Sequence, residues 1–178
     1  MDVIGADATI REVYHLDRPV ADFEATLAAL TATRMKVSPH IVIGLHYGRV
    51  LGEPTALDIV SRYPVEALVL VVVMPFYAAP GLFAVPDAAE VGRIFGEARR
   101  RLHGRQVLLG CARPPGLHKR AVDAYAVMAG LDGIAFPADG VVSVARAIGR
   151  PFHQEHACCS IKLGAAPPDG DRARGDLQ

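Results

Sequence analysis

Five short stretches carry residue types that could do chemistry, and four of them directly follow an apolar run. The first is Gly44-Leu45-His46-Tyr47-Gly48, leading through Arg49 to Gly52-Glu53. Glycines let a backbone come close to a ligand, and a glutamate at a helix start complements the positive end of the helix dipole. The second is Met74-Pro75-Phe76-Tyr77-Ala78-Ala79-Pro80, and the third, Gly110-Cys111-Ala112-Arg113-Pro114, sets a thiol close to a guanidinium. Phe136-Pro137 is the fourth, and the adjacent thiols Cys158-Cys159 are the fifth. Thiolates are nucleophiles and soft metal ligands, so the cysteines are the residues with the widest chemical range here.

Each stretch also has an ordinary explanation. Glycines after a strand are turn formers more often than ligand contacts. A single histidine such as His46 is more often a surface or capped residue than a base. Cys111 at a strand end can be a small buried hydrophobe, and two vicinal thiols do not make a metal site. The sequence holds no CxxC, no HExxH, no GxxxxGK[ST] and no serine-centred nucleophile elbow.

The elements that must position these residues follow from hydrophobic spacing. Asp2 to Gly5 reads as the end of a strand. Phe23, Leu27 and Leu30 form a helical stripe within Val20 to Thr33. Ser38 to Gly44 reads as a strand, and Pro54 to Tyr63 as a helix with proline in its first turn. Ala67 to Met74 (ALVLVVVM) is apolar on both faces, as a strand covered on both sides must be. Asp87 to Leu102 opens on an acidic cap and closes on Arg99-Arg100-Arg101, matching the helix dipole at both ends. Gln106 to Gly110 and Asp132 to Phe136 read as strands. Leu117 to Ala129 and Val141 to Ile148 read as helices stopped by Gly130 and Gly149. About five strand-then-helix units in a row imply parallel strands with right-handed crossovers, an α/β fold whose ligands bind at the C-terminal strand ends. Periodicity alone fits either an open doubly wound sheet or a (β/α) barrel. From Gly164 the chain loses its apolar period and is expected to be disordered.

Composition narrows the function classes. Hydrophobic residues make up 51% of 178, enough for one domain with a core. Lys plus Arg balances Asp plus Glu at 19 each, and aromatics are only 6%, so neither nucleic acid nor an anionic membrane surface is an expected partner. The longest apolar run, Ala67 to Tyr77, is too short to span a bilayer, and the N-terminus lacks a signal-peptide pattern. Three cysteines are no disulfide framework, so a reducing cytoplasm is the expected location.

The order of the motifs resembles the C-terminal part of radical S-adenosylmethionine (SAM) enzymes, in the biotin synthase and lipoyl synthase group. His40 to Glu53 (HIVIGLHYGRVLGE) is similar to that family's fifth strand and its Gly-Glu turn, and the Met-Pro segment after Val71-Val72-Val73 to the sixth. LLGCARPPG (Leu108 to Gly116) resembles the seventh strand of biotin synthase, and VMAGLDGIAFP (Val127 to Pro137) the helix end and eighth strand. The combined GLHYG, GCARP and terminal CCS pattern looks most like two-component, archaeal-type lipoyl synthases.

The resemblance implies a partial (β/α) TIM-type barrel over residues 1–150, made of strands four to eight, and an extension over 151–178 that holds the cysteine pair and the tail. It implies sulfur insertion at unactivated C–H bonds of a small-molecule or acyl-carrier substrate. It assigns the SAM ribose to Asp2 and the adenine to Ile43 and Gly44, and makes Cys111, Arg113, Cys158 and Cys159 candidate ligands of an auxiliary iron–sulfur cluster. The CxxxCxxC motif that binds the catalytic [4Fe–4S] cluster in that family is not in the sequence. The expectation is therefore a truncated enzyme inactive on its own, or a non-catalytic half-barrel subunit that completes its fold with itself or with a partner chain. A flavodoxin-like or aldolase-type protein is a third reading; it calls for a phosphate-binding glycine loop, for which the chain offers only the Gly44–Gly52 turn.

Overall fold

A computed structural model of the chain describes residues 1–76 and 78–155. Two helices, α1 (Asp7–Glu12) and α2 (Val20–Thr31), precede β1 (His40–Ile43). Strands and helices then alternate: α3 (Glu53–Ser61), β2 (Ala67–Val72), α4 (Ala88–Arg101), β3 (Gln106–Leu109), α5 (Leu117–Ala129), β4 (Gly133–Ile134) and α6 (Val141–Ala147).

The helix ends are written in the local chemistry. The Asp87 carboxylate accepts from the backbone N–H groups of Ala89 and Glu90 at 2.9 and 3.0 Å, which starts α4. Its last turn carries Arg99, Arg100 and Arg101, and its buried face is Val91, Ile94, Phe95 and Ala98. Gly130 takes a left-handed conformation (φ 81°) after α5 and ends it.

All strand pairings are parallel, and the strands lie side by side in chain order, β1-β2-β3-β4. Asp2 adds a single parallel bridge to His40 on the outer edge of β1. The order never reverses, so the described sheet has no topological switch point, and right-handed crossovers bring the helices to one face. The burial pattern agrees. Ile41, Ile43, Leu68, Leu70, Val72, Val107 and Leu109 share one core with Leu27, Leu57, Val60, Val91, Phe95, Val122 and Ala126 from the helices. The opposite sheet face carries a separate small cluster of Ala67, Val69 and Leu108 with Val71 against it. Val69 pairs with both His40 and Leu108, so these three side chains form one row across that face.

Most expected elements are present with shorter ends. The Asp132–Phe136 strand shrinks to two residues, because Phe136 turns to a positive φ of 46° and leaves the extended region. The Asp2–Gly5 strand is reduced to its one bridge. Helix α1 was not expected: it has six residues with only Thr9 and Ile10 buried, too few for an apolar period. Pro151 to Glu155 has no regular structure. The expected disordered tail and Cys158-Cys159 lie outside the described residues. No helix among the described residues is long and apolar enough to cross a membrane.

The helix-free face is tight at Gly110. A Cβ there would lie 2.5 Å from Val71 Cγ1 and 3.0 Å from Val69 Cγ1. Replacing Gly110 with alanine is expected to destabilise the chain by about 1–3 kcal/mol through overpacking. Chemical denaturation of Gly110→Ala beside the parent chain measures this, and an unchanged midpoint would show that the two valines move aside freely.

Candidate functional site

The C-terminal ends of the strands hold the residues with chemical potential, and the turn after β1 is the most constrained. Gly44 adopts φ 78°, and a Cβ there would meet Pro86 Cγ at 2.8 Å and Val73 Cγ1 at 3.2 Å. Both its conformation and its neighbours therefore require glycine. Its N–H donates to Glu53 Oε1 at 2.7 Å, and the Leu51 N–H donates to Glu53 Oε2 at 2.8 Å. Glu53 is buried at the first position of α3, so one carboxylate ties the strand end, the far side of the loop and the helix start together. Tyr47, at φ 54°, lies on the same loop; its ring packs on His46 and Phe83 at 5.1 Å each, and its hydroxyl donates to the Glu12 carbonyl at 3.1 Å.

Beneath this loop is a cavity of about 20 Å³ lined by Ile4, Thr9, Val42, His46, Glu53 and neighbouring residues. It has the size of one or two waters, not of a cofactor. His46 is buried, with Nδ1 3.3 Å from the Thr9 hydroxyl.

After β3 comes a buried ion pair. Arg113 and Asp123 have 0% side-chain exposure. Arg113 Nε donates to Asp123 Oδ1 at 2.5 Å and Nη2 to Oδ2 at 3.1 Å. Nη1 also donates to the Gly110 carbonyl at 2.6 Å, and Nη2 to the carbonyls of Ala135 at 2.7 Å and Phe136 at 3.1 Å. Asp123 Oδ2 accepts in addition from the Ala138 N–H at 2.7 Å. The pair thus fastens the end of β3, the middle of α5 and the turn after β4 to one another.

Arg113 is corrected from candidate cluster ligand to buried clamp, because its guanidinium is occupied by Asp123 and three carbonyls. Cys111 is exposed. Cys158 and Cys159 lie outside the described residues. Among the described residues, no three His, Cys, Asp or Glu side chains converge in a way that could hold a metal ion.

The Ile43 side chain is fully buried in the helix-side core, so it does not face the strand-end mouth; Val42, of opposite parity and only partly buried, lies with His40 on the helix-free face. Asp2 pairs with His40 at the start of β1, three residues or roughly 10 Å below the level of Ile43. Its carboxylate accepts from the Tyr14 hydroxyl at 2.8 Å. Burial, then this hydrogen bond and the charge of Asp2, raise the Tyr14 pKa above that of an ordinary tyrosine, while burial holds His40 below the usual histidine value.

Sequence reading missed Asp123, Thr9 and Tyr14. Only Asp123 left a signal: a carboxylate next to Val122 on the buried face of α5, where a charge needs a partner.

Two predictions follow from these clasps. Glu53→Gln keeps one acceptor oxygen and strands one buried N–H, so it should cost about 1–3 kcal/mol and speed hydrogen exchange at the Gly44 or Leu51 amide. Equal exchange at both amides in variant and parent would remove Glu53 as the clasp. Arg113→Met should cost about 3–5 kcal/mol by leaving Asp123 buried and unpaired, while the double variant Arg113→Met/Asp123→Leu should recover much of that loss. A double variant no more stable than the single one would show that the backbone carbonyls, not the ion pair, dominate. Comparison with protein families, with curated proteins and with solved structures found no match to this chain.

Proposed function

We propose that the chain is the C-terminal half of a (β/α) barrel of the radical SAM type, from a sulfur-inserting enzyme of the biotin synthase and lipoyl synthase group. The observation that supports this most is the strand order. Four parallel strands in unbroken chain order, with the helix-side core on one face, are compatible with a segment of a (β/α) barrel and supply the winding such a segment needs. The Gly44 turn and its Glu53 clasp then fall at the strand ends, where such barrels bind ligands.

In the intact enzyme, SAM held on a [4Fe–4S] cluster would supply hydrogen abstraction from an unactivated C–H bond. The cluster ligands are not in this sequence. What this chain contributes to nucleoside binding is the partly exposed Val42 and the peptide at Gly44, held by Glu53. The Ile43 side chain and Asp2 do not fit the adenine and ribose roles at their observed positions. For an auxiliary cluster Arg113 does not fit, and Cys111, Cys158 and Cys159 remain the candidate thiolates. The substrate is a small molecule or a carrier-bound acyl group.

A second reading, a non-catalytic half barrel completed by another chain or by a second copy, draws on the sheet edges. One edge carries a single bridge at Asp2, and the other is the two-residue β4. Size-exclusion chromatography with light scattering tests it: a stable monomer counts against it.

The test of the leading reading is to translate the DNA preceding the Met1 codon and express the whole frame without oxygen. The expected result is a CxxxCxxC segment and an iron–sulfur EPR signal that SAM perturbs. A frame without that segment, or an iron-free product after reconstitution, overturns it.

A further inference from the structure

The helix-free face of the sheet is buried at its centre, although no described helix shares in the cluster there. Ala67 and Val69 are 0% exposed and Leu108 is 2% exposed. The described apolar side chain packed against them is Val71, from the same strand as the first two. Nearer the C-terminal strand ends on that face, Val71 and Val42 are only partly buried, so the cover lies over the strand-start half. Parallel sheets are layered on both faces, and an apolar row in the middle of one is freed of water only when other atoms lie across it.

The course of the chain points to the source of that layer. After α6, the Arg150 guanidinium donates to the carbonyls of Val127 at 3.0 Å and Leu131 at 2.6 Å. Leu131 precedes β4, so the chain leaves α6 at the strand-start end of the sheet. Beyond Glu155 the sequence continues as His156-Ala157-Cys158-Cys159-Ser160-Ile161-Lys162-Leu163. Ala157, Cys159, Ile161 and Leu163 alternate with His156, Cys158, Ser160 and Lys162, which is the period of an extended segment with one apolar side. Cysteine serves there as a small hydrophobe. Eight extended residues reach roughly 26 Å, whereas a four-stranded sheet is roughly 14 Å across. The stretch is long enough to cross the whole sheet.

We propose that residues 156–163 are the second layer of this sheet: the segment runs extended across the helix-free face, with Ala157, Cys159, Ile161 and Leu163 turned onto Ala67, Val69 and Leu108. The chain then closes its own inner face without a partner. The two adjacent thiols face opposite ways, Cys159 toward the sheet and Cys158 away from it, which leaves Cys158 as the member of the pair free for a thiolate role. The assignment holds whatever reaction the strand ends serve.

The test is methyl NMR of the 178-residue chain labelled at its isoleucine, leucine and valine methyls. Nuclear Overhauser contacts are expected from Ile161 and Leu163 to Val69 and Leu108 within one molecule. Contacts seen only between differently labelled copies in a mixed sample would mean that a second copy covers the face. Contacts to β4 alone would mean that the segment extends the sheet as a further strand. Either result, or no contact at all, overturns the proposal. Ile161→Asp/Leu163→Asp should lower the thermal midpoint by about 5 °C or more through lost apolar burial, and an unchanged midpoint overturns the proposal as well. In single-cysteine variants of the full chain, Cys159 should react with an alkylating reagent about tenfold more slowly than Cys158; equal rates would remove the assigned orientation.

Discussion

A guanidinium and a carboxylate removed from water must satisfy each other almost completely, since either one alone in an apolar interior is far more costly than the pair. Arg113 and Asp123 meet this requirement with five donated contacts from the arginine and one backbone N–H added at the aspartate. Because the acceptors belong to Gly110, Ala135 and Phe136, satisfying the charge also fixes where β3 ends and how the chain leaves β4. An apolar pair of the same volume could fill that space, but it could not hold two strand ends and a helix in register through directional bonds.

Glu53 does similar work at the other side of the sheet on a smaller scale. It faces two N–H groups rather than a cation, and it lies where the α3 dipole favours a negative charge. The two clasps bracket the strand ends at β1 and at β3–β4. Between them β2 needs no polar device: Ala67 to Leu70 are buried on both faces, and the strand is held by neighbours alone.

The fold class was legible because every parallel strand here is a short apolar run and every long helix has an amphipathic stripe or a clear stop. Leu117–Ala129 with Gly130 was readable to the residue. The short elements were not: α1 and β4 owe their existence or their length to tertiary contacts that leave no period in the sequence. At the site, strand parity was the hidden variable. In HIVI the alternating pattern puts Ile43 in the core and Val42 on the opposite face, and only the position of the helices tells which face is which. Arg113 looked available because its partner lies ten residues on, in the middle of a helix whose pattern otherwise reads as ordinary core. The depth of Asp2 depended on register, which a lone bridge to His40 decides.

Unbroken strand order has a consequence for how the chain acquires its shape during synthesis. Each new strand docks beside the one made just before it, and α3 against α4, α4 against α5 and α5 against α6 are likewise neighbours in both chain and space. Each strand pairing thus closes over a single βα unit, from Leu108–Gly133 to Ala67–Gln106, and carries the loop entropy of that one unit rather than of the whole chain. A ribosome releasing this sequence would deliver it in the order in which it can assemble, one βα unit seated on the last.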